Sequence, residues 1–235
     1  MIYSLAVPIA GETDAKRLTK KYYRLIGVKP EYIYDAKFLN GAKSLSKLWR
    51  RTFSNPGKIL ETSYEEFAKQ AEKDWVFRVD ADEVPNLKAI DYLNTLKPIS
   101  KNSVIGIQRF QIIKTSDKFF FLESEEFEPK QHIQWRFFNR SGAKWLGVIH
   151  TPGIVVKPEQ EIQAPEDACL YHLEFLFLSK TELHKKSQRY DSIGQNSFFH
   201  KYQRDIVISQ LRPIEDLVLL NFLEKNKDEF LEWQD

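Results

Sequence analysis

Residues 74–86 read DWVFRVDADEVPN, and the rest of the chain is organised around this stretch. Its first half, residues 75–79, is a run of bulky and β-branched side chains, which predicts a short buried strand. Three carboxylates follow within four residues, at Asp80, Asp82 and Glu83. The sequence therefore predicts a strand that brings a group of acids to its carboxyl end.

The acids favour a site for a hard divalent cation. Carboxylates this close repel one another unless a cation or solvent offsets their charge, and Mg²⁺ and Mn²⁺ prefer oxygen ligands. The carboxyl ends of strands are also where open α/β sheets bind ligands. An ordinary acidic turn is the alternative, but the apolar strand before the acids favours the metal site. Pro85 is expected to end the strand.

Composition indicates an ordinary globular protein. The chain has 235 residues, of which 42% are hydrophobic and 29% charged, and its net charge of +2 gives no reason to expect a nucleic-acid partner. The single cysteine, Cys169, excludes an intrachain disulfide and a cysteine-based zinc site. No apolar run reaches the roughly 18 residues that a transmembrane helix needs. We expect residues 1–10 to form a first strand rather than a signal peptide, because no basic segment precedes them.

The first 86 residues show strands that alternate with helices. Residues 4–9 are a compact apolar run, residues 15–26 have apolar side chains at helical spacing before Gly27, and residues 31–34 read as a second strand. A capping-box pattern at 62–65 opens a further helix that leads into the strand at 75–79. This alternation predicts a parallel sheet flanked by helices.

The second half has more antiparallel character. Residues 139–142 (NRSG) predict a hairpin turn between strands at 133–138 and 145–149. Residues 169–177 alternate, which predicts His172 and Glu174 on a face opposite to the apolar residues and permits a solvent-facing polar edge. Further predicted elements are a helix after Asn86, a strand near 104–113, an aromatic strand and acidic loop at 117–128, a helix opened by Ser179 and Glu182, and a last helix from Pro213.

Several segments together resemble a known enzyme family. DWVFRVDADE at 74–83 is similar to the signature of glycosyltransferase family 2, whose members have the GT-A fold, a Rossmann-like sheet that binds a nucleotide-sugar. SLAVPIAGE at 4–12 resembles the opening strand of that family, and YIYD at 32–35 occupies the place of its second strand. Residues 134–150 resemble a later segment of a bacterial branch, with shorter matches at 171–172 and 189–190.

The resemblance implies an α/β fold of GT-A type, with a mixed central sheet flanked by helices and with C-terminal helices. Residues 1–200 would form this domain, divided into a nucleotide-binding half at 1–86 and an acceptor half at 87–200. Residues 201–235 would form a helical extension packed on the same domain. The chain departs from the family pattern at Gly11, after Asp35, and at Thr151, which follows His150 where the family has Glu.

The activity implied is metal-dependent transfer of a sugar from a nucleotide-sugar, with a UDP-sugar expected above others, to a glycan or lipid-linked acceptor. The resemblance further implies inversion at the sugar, Mn²⁺ or Mg²⁺ as cofactor, and a role in cell-surface polysaccharide biosynthesis. No nucleic-acid partner is expected. The expected location is the cytoplasm, with peripheral contact to the inner face of the membrane as a further expectation.

Site residues follow from the same resemblance. Asp82 would bind the cation directly, while Asp80 would face the ribose or reach the cation through water. His150 is the candidate for a third contact to metal or diphosphate, with His172 as the alternative. The full nucleotide-binding set comprises Pro8, Ala10, Glu12, Asp35 and Asp80.

Inverting transfer needs a base that deprotonates the acceptor hydroxyl, and a carboxylate is suited to this role. Glu126, in the acidic loop after the aromatic strand, and Glu83 are the two selected candidates. Glu123, Glu125 and Glu174 remain open alternatives.

Two other functions fit part of the pattern. The sequence DADEV at 80–84 also fits the motif of haloacid-dehalogenase-like phosphatases, in which the first Asp is the nucleophile. That motif normally closes the first strand of its fold, whereas several elements precede it here. A non-catalytic carbohydrate-binding protein of GT-A fold is the second alternative.

Overall fold

The chain is a mixed α/β protein in which helices flank a central sheet of parallel and antiparallel strands. The computed structural model describes residues 3–9, 14–34, 68–97, 99–122, 133–145, 154–155, 157–192 and 211–233. Within these ranges no helix is long and apolar enough to cross a membrane.

Twelve strands and four α-helices are defined in the described ranges. The strands are β1 (Ser4–Ile9), β2 (Glu31–Tyr34), β3 (Trp75–Arg78), β4 (Glu83–Pro85), β5 (Val104–Thr115), β6 (Lys118–Leu122), β7 (Ile133–Asn139), β8 (Lys144–Trp145), β9 (Ile154–Val155), β10 (Glu161–Gln163), β11 (Cys169–His172) and β12 (Leu211–Pro213). The helices are α1 (Asp14–Leu25), α2 (Leu87–Thr95), α3 (Lys180–Ser192) and α4 (Leu217–Lys225).

Ten of the strands form one sheet, with the main order β12-β6-β5-β7-β3-β1-β2. Strands β2, β1 and β3 are parallel, so their carboxyl ends meet at one edge. Strand β7 runs antiparallel to both β3 and β5. Strand β11 pairs parallel with β5 and antiparallel with β4. The residues that follow β3 therefore lie next to β11.

Local signals in the sequence predicted many of these elements correctly. Strands β1 and β2 and helix α1 lie where expected, and Gly27 has the left-handed φ of 69° that favours glycine after a helix. The capping box that opens α3 is formed, because Glu182 accepts hydrogen bonds from the backbone and hydroxyl of Ser179. The Asn86 side chain caps α2 by accepting from Ala89 N–H at 2.8 Å.

The predicted hairpin between 133–138 and 145–149 is wrong for the residues that the structure describes, which do not include 146–149. Strand β7 lies between β3 and β5 in the main sheet, whereas β8 pairs with β9 in a separate two-stranded sheet. A turn does follow β7, since Gly142 N–H donates to Asn139 O at 3.1 Å. The turn signal was therefore correct, but the strands on either side of it pair with other strands, β7 with β3 and β5 and β8 with β9.

Three smaller predictions also need correction. Pro85 does not end the strand at Trp75, because β3 ends at Arg78 and Pro85 lies in β4, where it pairs only with β11. The last helix begins at Leu217 rather than at Pro213, which belongs to the edge strand β12.

The third correction concerns the strand that begins at Cys169. It ends at His172, and residues Glu174–Leu176 form a 3₁₀ turn. His172 is buried and not on a solvent-facing edge, because β11 lies between two other strands, and Glu174 in the 3₁₀ turn is buried as well.

The core joins the amino- and carboxyl-terminal parts of the chain. Leu18 and Tyr22 of α1 are fully buried, and the Tyr22 ring meets Phe222 of α4 edge-on at 5.2 Å. Strand β12 pairs with β6 at the edge of the sheet. Residues 211–233 therefore add both a strand and a helix to the main body, and this packing holds α1 against the region that follows β3.

Candidate functional site

Residues Asp80–Glu83, here named the acidic turn, lead from β3 into β4, and their first three backbone carbonyls all accept hydrogen bonds. The carbonyls of the first three turn residues accept hydrogen bonds, in order, from Glu83 N–H at 3.0 Å, the Thr19 hydroxyl at 3.2 Å and Leu173 N–H at 2.8 Å. These donors come from the turn, from α1 and from the segment after β11. The acidic turn is therefore held from three sides, as a preorganised site requires.

Glu83 stabilises the acidic turn from its buried side. Its side chain is fully buried, and Oε2 accepts from Asp80 N–H at 3.0 Å. Oε1 accepts from Arg136 Nη2 at 2.8 Å and from Arg109 Nη1 at 3.2 Å. These contacts favour a positioning role over proton abstraction from an acceptor, although the catalytic assignment of Glu83 stays a prediction.

Asp80 is bound by arginine. Its Oδ2 accepts from Arg136 Nη2 at 2.8 Å, and its Oδ1 lies 3.6 Å from Arg78 Nε. The Asp80 side chain is 28% exposed, so a ligand can still reach it. A carboxylate between two guanidinium groups is already compensated in charge, which reduces its attraction for a metal cation.

Asp82 faces His172, and the hydrogen bond of the Nδ1 atom of this histidine determines which ring nitrogen carries the proton. His172 Nδ1 lies 2.6 Å from Oε1 of Gln111, a carbonyl oxygen that only accepts, so Nδ1 carries the proton. The other nitrogen, Nε2, lies 3.4 Å from Asp82 Oδ2. In the neutral ring Nε2 has a lone pair, and Asp82 is 31% exposed. The two residues therefore present two potential ligand atoms side by side at an accessible place.

The pair fits a divalent cation in spacing and chemistry. Two ligands about 2 Å from one ion in octahedral geometry lie roughly 3 Å apart when adjacent, close to the observed 3.4 Å. Imidazole and carboxylate are both suitable ligands for Mn²⁺. In the described part of the chain, no group of three or more His, Cys, Asp or Glu side chains is arranged to hold a metal ion. Asp82 and His172 would therefore need ligands from water or substrate.

The remaining predicted site residues are only partly described. Pro8 is half-buried in β1 and pairs with Ile33 of β2, beyond the part of β1 that pairs with β3. The role of Pro8 in nucleotide binding stays a prediction. Predictions that fall outside the described residues, and stay predictions, concern Ala10, Glu12, Asp35, Glu126 and His150.

The structure also brings residues into the site to which the sequence analysis assigned no role. Thr19, Arg109, Gln111 and Arg136 all contact the acidic turn or His172. One sequence signal pointed to Arg136: Gly106 interrupts an apolar strand, and an isolated glycine there suggests a bulge. The bulge, described below, lies opposite Gly106, and Arg136 is its extra residue.

Comparison with known proteins adds no family assignment. No protein-family model matches the chain, and no curated protein sequence matches it significantly.

Stability is expected to depend on the protonation of Glu83. Burial, together with the charge of Asp80, raises the pKa of Glu83 from 4.5 to about 7. Between these two values the folded protein holds a proton that the unfolded chain has lost, so stability falls as pH rises through this window. The loss is at most about 1.4 kcal/mol per pH unit.

Urea unfolding of the wild type and of Glu83→Gln at pH 5, 6, 7 and 8 measures this effect. Glutamine does not titrate, so the free energy of unfolding of the wild type should fall relative to that of the variant between pH 5 and 7. Parallel pH profiles for the two proteins would show that the pKa of Glu83 is not raised.

Proposed function

We propose that this protein is a metal-dependent glycosyltransferase that uses a nucleotide-sugar donor. The observation that carries the proposal is the acidic turn, in which Oδ2 of Asp82 lies at an accessible position 3.4 Å from Nε2 of His172. A bound divalent cation would offset the charge that develops on the diphosphate leaving group. Mn²⁺ fits the mixed carboxylate and imidazole pair, and Mg²⁺ is the alternative.

The position of the turn supports a nucleotide donor. The acidic turn follows β3, at the edge where the carboxyl ends of three parallel strands meet. Ligands of open α/β sheets bind at such an edge. The β1-α1-β2 unit and its parallel pairing agree with the GT-A fold that the sequence resemblance implies, and we propose that fold here.

The residues of the site have separate proposed tasks. Asp82 and His172 hold the cation, while Asp80 faces the donor ribose. Glu83 and Arg109 keep the turn in place from the buried side. Glu126 remains the proposed base for the acceptor hydroxyl. UDP is the proposed nucleoside diphosphate, with a glycan or lipid-linked acceptor, transfer with inversion, and a cytoplasmic location with peripheral membrane contact.

The phosphatase alternative has less support from the geometry. Its nucleophile would be Asp80, but Oδ2 of Asp80 is bound by Arg136 at 2.8 Å. A carboxylate paired in this way is a weaker nucleophile, since the guanidinium withdraws the charge that attack requires. Release of phosphate from a phosphomonoester, with no release of nucleoside diphosphate from nucleotide-sugars, would favour the phosphatase.

Isothermal titration calorimetry tests the proposal directly. UDP, GDP, CDP and dTDP are each titrated into the protein with Mn²⁺, and again with EDTA in place of the metal. We expect UDP to bind in the presence of Mn²⁺ and to bind at least about tenfold more weakly without it, because the cation joins the diphosphate to the protein.

A ligand that binds only the folded state also raises its melting temperature, which provides an independent readout. Asp91→Asn is the matched control, since Asp91 is an exposed acid on α2 outside the site. Folded protein that binds none of the four nucleotides would refute the proposal. Binding without release of nucleoside diphosphate from any donor would instead favour the non-catalytic alternative.

A further inference from the structure

Strand β7 contains a β-bulge at Arg136. Phe137 pairs with Ile105 and Trp135 pairs with Gly106, so Arg136 is the extra residue between two consecutive partners on β5. A bulge bends its strand and redirects the side chain of the extra residue.

Gly106 makes this bulge possible. A Cβ atom added to Gly106 would collide with Cγ2 of Ile133 and lie 3.0 Å from the Trp135 ring. The bulge, which needs a glycine at position 106, therefore directs the Arg136 side chain toward the acidic turn.

One nitrogen of Arg136 joins two carboxylates. Nη2 lies 2.8 Å from Oδ2 of Asp80 and 2.8 Å from Oε1 of Glu83, and the arginine side chain is only 2% exposed. A buried guanidinium keeps its charge, since its pKa is too high for deprotonation. Asp80 is therefore fixed to a permanent positive charge.

Because Asp80 is paired with Arg136, the two accessible acids of the turn, Asp80 and Asp82, differ in their suitability as cation ligands. A cation that used Oδ2 of Asp80 would compete with Arg136 for that oxygen, and one that used Oδ1 would lie close to the guanidinium of Arg78. Asp82, in contrast, faces Nε2 of His172, a potential ligand atom. Glu83 supplies the second negative charge that makes the buried arginine tolerable.

We propose that Arg136 is a positioning residue that keeps Asp80 away from the cation, so that Asp82 is the carboxylate that binds it directly. The proposal rests on the metal dependence of the proposed function. It gives a physical cause, the buried arginine, for the division of roles between the two acids that the family resemblance implies.

The Mn²⁺ affinities of variants at Asp80 and Asp82 test this difference between the two acids. The fraction of free Mn²⁺ is measured by electron paramagnetic resonance over micromolar to millimolar concentrations, for wild type, Asp80→Asn and Asp82→Asn. Asp82→Asn should weaken binding at least about tenfold, whereas Asp80→Asn should change it less than about threefold. Equal losses in the two variants would overturn the role of Arg136. Absence of Mn²⁺ binding by folded wild type would overturn both this role and the metal dependence of the proposed function.

A second set of variants tests Arg136 itself. Arg136→Met combined with Glu83→Gln removes one positive and one negative buried group together, which releases Asp80 without leaving Glu83 charged and unpaired. Adding Asp80→Asn to this background should now weaken Mn²⁺ binding about tenfold, because the freed Asp80 has become a ligand.

A purely structural arginine predicts that Asp80→Asn has the same effect in both backgrounds, and that result would overturn the proposal. Arg136→Lys keeps the positive charge, so adding Asp80→Asn to Arg136→Lys should change Mn²⁺ binding as little as it does in the wild type. If the double variant does not fold, the comparison of Asp80→Asn with Asp82→Asn in the wild type still decides the question.

Discussion

Asp82→Asn should reduce release of nucleoside diphosphate from the donor by at least about 100-fold, the scale seen when one group that stabilises developing charge is removed. The amide keeps the size of the side chain but loses the charge that attracts the cation. The fold should persist, because the turn is held through the backbone carbonyl of Asp82, which accepts from Leu173 N–H at 2.8 Å. Turnover with a panel of nucleotide-sugars, alongside the melting temperature, measures both effects.

Asp91→Asn provides the control for this experiment, since it makes the same chemical change on an exposed acid of α2. It should leave both turnover and melting temperature unchanged. Near-normal turnover of Asp82→Asn would show that Asp82 has no part in the reaction. A large fall in its melting temperature would instead show that the side chain is needed for folding.

Arg136→Met should destabilise the protein by about 3 kcal/mol at pH 8, the lower end of the range for removal of one partner from a buried ion pair. Methionine fills most of the volume but leaves Glu83 and Asp80 without their shared donor. The loss should be smaller at pH 5.5, because the buried Glu83 then takes up a proton. Urea unfolding at both pH values gives the two free energies.

Arg140→Met is the matched control for this loss. Arg140 pairs with Asp74 at the surface, where the two side chains are 32% and 70% exposed. Surface ion pairs contribute about 0 to 1 kcal/mol, so the control should lose far less stability than Arg136→Met. Adding Glu83→Gln to Arg136→Met should recover part of the loss at pH 8. Equal losses at the two pH values would mean that the charge of Glu83 is not the cause.

Elements defined by local patterns could be predicted from the sequence. Helix α1 follows from its apolar spacing and from Gly27, and α3 follows from the Ser179 and Glu182 capping box. The strand at residues 75–79 and the acids after it were also predicted, and β3 ends at Arg78, one residue short of the prediction. In each case the signal lies within a few residues of the structure that it determines.

Partners that are distant in sequence could not be predicted. Arg136 and Glu83 are 53 positions apart, and no local pattern shows that they form an ion pair. The alternation permitted His172 to lie on a solvent-facing edge, because alternation cannot show that strands lie on both sides of β11. The wrong hairpin has the same cause, since the turn signal does not state which strands pair across it.

The position of β11 between β4 and β5 also determines at which stage of folding the site forms. The backbone of Cys169 reaches the side chain of Asn86 across 83 positions of chain. Contacts of such high sequence separation form only after a large loop-closure entropy has been overcome, which slows folding. The acidic turn can thus exist early, while His172 and the Leu173 hydrogen bond arrive late. During synthesis, the site cannot assemble until residues beyond Leu173 have left the ribosome, and amide exchange should show β11 gaining protection after β1 and α1.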